Sequence, residues 1–195
     1  MAAIITANYF AINFLIPTFA AIIKQQQTMK KGVLIIMMMV LMAGFAKAQM
    51  EVDQAKAKFI YNFTKFFDWP QNERSGNFII GVVGSNKVYD ELRNITSGKR
   101  VVTQDITVKR FRNYDEIEKC HVLFVSTYKD DIIATAHKKT GHYTLIISDA
   151  SNSLNKGAAL NLFLDGERLK YKFEDSNALK MGLKFHSKIK EMASN

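Results

Sequence analysis

From residue 51 onward, apolar positions switch between helical spacing and short unbroken runs. At 100° per residue, Val52, Phe59, Ile60, Phe63, Phe66 and Phe67 fall within an arc of roughly 120°, with Tyr61, Lys65 and Asp68 opposite. This spacing predicts a helix over 51–68. Trp69-Pro70 ends it, because the residue before proline is pushed away from helical geometry. The stretch "AKFIYNFTKFFDWP" carries six rings in fourteen positions. Large side chains on the arc contribute about 2 kcal/mol each on burial and read as core. Tyr61 and Trp69 lie off the arc and are the rings placed to meet a ligand or partner.

Beyond the proline the pattern changes to continuous apolar runs bounded by turn residues. "FIIGVVG" (78–84), "HVLFVS" (121–126) and "YTLIISD" (143–149) read as strands covered on both faces. "VYDELRNIT" between them reads as a short helix, "RVVTQDITVKRF" as one strand or two short ones, and "NYDEIEKC" as a brief helical turn. "DDIIATAHKKTG" has acids first, lysines last and a glycine stop, as a helix should. "AALNLFLDGERLKYKFE" reads as a hairpin with Asp165-Gly166 in a type I′ turn. Leu160, Leu162, Leu164, Leu169, Tyr171 and Phe173 share one face of it. A helix over 176–193, capped by Asp175 or Ser176, closes the chain. Alternating strands and helices predict a single three-layer α/β domain. Its sheet is mostly parallel, with the antiparallel hairpin and the closing helix appended.

Two apolar segments precede this domain. Lys30-Lys31, the apolar stretch 32–45 and Ala46-Lys47-Ala48 have the layout of a signal peptide over 29–48, cleaved after Ala48. The apolar stretch is shorter than the roughly 20 residues of a membrane span, so the mature form, residues 49–195, is expected to lie free in the periplasm. Residues 1–28 read as a mis-assigned leader ahead of a true start at Met29, or as an extra apolar segment. Four of the 27 basic residues (Lys24, Lys30, Lys31 and Lys47) fall in these segments. That leaves 23 against 18 acidic ones, a net charge of +5. The positive residues are spread out and form no run longer than a pair, which together with export argues against a nucleic-acid partner. Cys120 is the single cysteine, so no intramolecular disulfide forms and stability rests on the core.

Little in the sequence points to catalysis. His121, His137, His142 and His186 show no metal-ligand spacing, although His137 and His142 can approach across a glycine turn. "VVGSN" (82–86) stands where a phosphate loop would, yet lacks the glycine fingerprint of one. Cys120 and His121 are neighbours, so their side chains point to opposite faces and cannot form a thiolate–imidazole pair. No catalytic residue, metal or cofactor is expected. If a small molecule binds, the carboxyl ends of the strands are the expected place, where Ser85, Asn86, Ser126 and Asp149 would converge. On the closing helix, apolar residues cover about 200°, wider than the stripe of an ordinary surface helix. Phe185, Ile189 and Met192 there, with Tyr61 and Trp69, are the expected partner contacts, and Ile189→Asp is expected to give soluble, unpaired protein.

The helix ending in Trp-Pro, "IIGVVGSN", "CHVLFVS", "LIISD", the hairpin and "GLKFHSKIKEMA" follow the order seen in the YfiR-like family, which the chain resembles from 55 to 193. It differs at Gly157-Ala158, where the family commonly has two glycines, and at His186-Ser187, where it has a serine pair. The resemblance implies a non-enzymatic periplasmic regulator. Members bind the extracytoplasmic sensor domain of an inner-membrane diguanylate cyclase and hold it inactive, which keeps cyclic-di-GMP and biofilm matrix low. Related domains accompany sensor kinases, so a kinase is the other receptor implied. Members also form homodimers. The alternative is a periplasmic small-molecule-binding protein.

Overall fold

A computed structural model describes residues 51–194. The expected leader and signal peptide lie outside the described residues. Helix α1 runs through 51–63, followed by β1 (Phe67–Asp68), a 3-10 turn (Gln71–Glu73), β2 (Phe78–Val83), α2 (Asn86–Thr96), β3 (Arg100–Val101) and β4 (Gln104–Phe111). Then come β5 (Val122–Val125), a 3-10 helix (Thr127–Thr135), α3 (His137–Thr140), β6 (Leu145–Ser148), β7 (Leu160–Asp165) and β8 (Arg168–Phe173). The chain closes with α4 (Asp175–Lys180), β9 (Lys184–Phe185) and α5 (Lys188–Glu191).

Seven strands form one sheet in the order β3-β4-β2-β5-β6-β7-β8. The five in the middle pair in parallel, and the hairpin partners β3 and β8 run antiparallel at the two edges. The apolar runs are continuous because both faces are covered. Phe78, Ile80, Val122, Phe124, Leu145 and Ile147 point to the face packed by α1, α2 and the C-terminal segment. Leu123, Val125 and Ile146 point to the face packed by Ile132 and Ile133 of the 3-10 helix. The fold is the expected α/β architecture with three layers.

Five local expectations need correction. The first helix stops at residue 63, and i→i+3 turns lead into β1, which pairs with β9 through Phe67↔Phe185 and Asp68↔Lys184. Phe67 is therefore buried from a strand. The closing helix over 176–193 is interrupted. Gly182 takes φ +79°, and its N–H and that of Leu183 donate to Leu179 and Ala178. This is a Schellman stop, which only a residue tolerant of positive φ closes without strain. The cap of α4 is Glu174, whose carboxylate accepts from the Ser176 N–H. In the β7–β8 hairpin Asp165 pairs with Arg168, so the loop is Gly166-Glu167 with φ +60° at Gly166, the pattern of a type II′ turn. The expected helix over 130–141 is mostly 3-10, part of a segment that starts at Thr127 and kinks at Lys129 (φ −136°), with one α turn before the Gly141 stop.

Candidate functional site

The order of the sheet places its switch point at the carboxyl ends of β2 and β5, since β4 lies on one side of β2 and β5 on the other. The loops leaving those strands hold Ser85 and Ser126, Asn86 opens α2, and the loop leaving β6 holds Asp149. They separate into two groups. Ser85 caps α2, its hydroxyl accepting from the Val88 N–H at 3.2 Å. Asn86 accepts from the Arg110 guanidinium at 3.2 Å. These two border an open cleft of about 390 Å³ with Arg110, Phe111 and Arg112. Ser126 and Asp149 do not line that cleft.

Asp149 already has partners on both carboxylate oxygens. One accepts the Lys56 ammonium at 2.6 Å and the other the Thr127 N–H at 2.7 Å. Lys56 comes from α1 and also stands 3.9 Å from Asp53. The Asp149 and Lys56 side chains are 9% and 15% exposed, which makes this a largely desolvated ion pair. Ser126 is buried, with its N–H donated to the Val83 carbonyl. The strand-end polar groups thus tie helix starts to the sheet, and Ser126 and Asp149 serve as joints. Lys56 went unrecognised in the sequence because an exposed-looking lysine on a helix carries no mark of a partner 93 residues away.

The aromatic candidates divide in the same way. Trp69 is core: its indole N–H donates to the Tyr143 carbonyl at 2.8 Å and its ring meets Phe78 edge-on at 4.8 Å. Ile189 is fully buried beneath Tyr171, whose hydroxyl donates to the Ile189 carbonyl. Neither side chain is presented to a partner by this chain. Tyr61 is half-buried, with the ammonium groups of Lys99 and Lys65 over its ring at 4.7 and 5.0 Å. Phe185 is half-buried and edge-on to Phe173 at 4.9 Å, and Met192 is 46% exposed.

Cys120 and His121 do face opposite sides of the sheet. Cys120 packs in the 3-10 layer, where burial pushes its thiol up to about 12. His121 stacks on Phe78 at 4.5 Å. The Ile79 N–H donates to its Nδ1 at 3.0 Å, which leaves Nε2–H to donate to the Glu73 carbonyl at 2.9 Å. Both nitrogens serve the neutral ring, and burial lowers its pKa below 6.5. Among the described residues, no three His, Cys, Asp or Glu side chains are grouped to hold a metal ion. No helix among them is long and apolar enough to cross a membrane.

Against known families, a model described as YfiR/HmsC-like matches residues 53–194. No curated protein matches the chain.

Proposed function

The chain belongs to the YfiR/HmsC-like family, and from that premise we propose that it is a non-enzymatic periplasmic signalling regulator. It binds the extracytoplasmic sensor domain of an inner-membrane diguanylate cyclase or sensor kinase and restrains it, lowering cyclic-di-GMP and biofilm output. The observation that carries this reading is the reach of the family match, from α1 to the last described residue. The ion pair and imidazole that a search for catalysis would single out both have structural partners, which favours a binding role. The contacts fall to Tyr61, Phe185 and Met192, the three candidates that retain exposed surface. A second copy of the chain meets the same C-terminal face in a homodimer.

The test is crosslinking of the tagged protein in intact cells, followed by mass spectrometry, beside a cyclic-di-GMP assay in the deletion strain. Recovery of an inner-membrane protein with an extracytoplasmic sensor domain, and higher cyclic-di-GMP on deletion, is the expected result. Met192→Asp should weaken that crosslink without lowering the protein's abundance. Recovery of the chain alone, with cyclic-di-GMP unchanged, overturns the proposal. One observation favours the alternative of a small-molecule binder at the strand ends: Arg110 and Arg112 flank the cleft beside Ser85 and Asn86.

A further inference from the structure

A second cleft, of about 450 Å³, opens on the 3-10 face of the sheet, away from α1 and from the strand ends. Ile146 of β6 and Met181 after α4 give it an apolar lining. Around them stand His137 of α3, His142 after the Gly141 stop, Lys156 of the β6–β7 loop and Lys180 of α4. Four separate segments thus bring a nitrogen-bearing side chain to one recess, and no carboxylate lines it. Lys156 is paired with Asp130 outside the lining. His137, His142 and Lys180 have no ion-pair partner among the described residues. Lys180 brings a positive charge and the two imidazoles bring ring N–H donors, so an anion entering this carboxylate-free recess meets donors from several sides. The volume falls within the range of roughly 300–1,000 Å³ typical of small-molecule sites.

From this arrangement we infer that the cleft binds a small organic anion, a carboxylate or phosphate ester carrying an apolar body. The charged group meets Lys180, His137 and His142, and the body lies against Ile146 and Met181. Inorganic phosphate offers the charge without the body, and a neutral aromatic alcohol offers the body without the charge. The inference rests on this cleft alone and stands whether or not the chain restrains a receptor.

The probes are benzoate, phenyl phosphate, inorganic phosphate and benzyl alcohol, titrated into the protein by two-dimensional NMR and calorimetry. Benzoate or phenyl phosphate should bind in the millimolar range or tighter and shift the amides of Gly141, Thr144, Gly157 and Met181. Lys180→Ala and His142→Ala, both at exposed positions that leave the fold intact, should each weaken that binding by about tenfold, the value of a lost charge-assisted hydrogen bond. Benzyl alcohol should not bind. Failure of both organic anions to bind overturns the inference, as does binding that neither substitution affects. Equal affinity for inorganic phosphate and phenyl phosphate overturns the apolar half of it.

Discussion

His121 joins three parts of the fold through one ring. Its Nδ1 accepts the Ile79 N–H at the start of β2, its Nε2–H reaches the Glu73 carbonyl, and its face lies on Phe78. Only the neutral ring makes both hydrogen bonds, because protonation turns Nδ1 into a donor facing a donor. The folded-state pKa therefore lies below the unfolded value of 6.5. Above 6.5 the ring is neutral in both states and its contribution is complete. Between 6.5 and the lower folded value the unfolded chain holds more protons, so stability falls as pH falls and levels off once the folded ring is protonated. His121→Ala should cost about 2 kcal/mol near neutral pH, through the unpaired Ile79 N–H and the lost stack. The gap between variant and parent should narrow from about pH 7 to about pH 5, read by urea unfolding with circular dichroism. A gap that stays constant would show that His121 acts by packing alone.

At the scale of elements, helix α1 is held to the sheet by apolar packing and by one ion pair. Ala57, Ile60 and Phe63 supply the packing, and Lys56 reaches Asp149 at the end of β6. Lys56→Met should destabilise the fold by about 3 kcal/mol, since it strips a largely buried carboxylate of its counter-charge. Adding Asp149→Asn should restore part of that loss, with a coupling of at least ~1 kcal/mol in a double-mutant cycle of urea midpoints. Additive losses would mean that Asp149 matters only as acceptor for the Thr127 N–H. The apolar period of α1 was legible because its buried positions repeat every three to four residues. The ends were not: β1 and β9 are two residues each, and what makes them strands is each other, a pairing across more than a hundred positions. Gly182 was the available signal that the last helix stops early, and the apolar arc drawn through it merged the buried faces of α4, β9 and α5.

For the molecule as a whole, the parallel sheet could be read from its unbroken apolar runs, whereas the candidate surface was legible only in part. Tyr61 and Met192 keep exposed surface, but Ile189 and Trp69 sit at the centre of the core that α1 shares with the C-terminal segment. Spacing along a helix reports which side chains share a face; it does not report whether that face meets this chain or another. Tyr171 decides the case for Ile189, because its ring packs on Phe63 at 4.9 Å while its hydroxyl holds the Ile189 carbonyl. The C-terminal segment is thus a closing piece of the same cooperative unit, tied again by the Ser194 N–H to the Tyr171 carbonyl. A carboxylate at position 189 would be buried with no cation supplied to it. Ile189→Asp should therefore lower stability by about 4 kcal/mol or more, whereas Met192→Asp, at an exposed position, should change it by no more than about 0.5 kcal/mol. Trp69 is the only tryptophan and lies in that core, so its fluorescence follows the event directly. Under urea, its transition and the far-ultraviolet circular dichroism should coincide in the parent protein and shift together to lower urea in Ile189→Asp. A soluble Ile189→Asp protein with an unchanged midpoint would place Ile189 at an interface between chains and detach the C-terminal segment from the core.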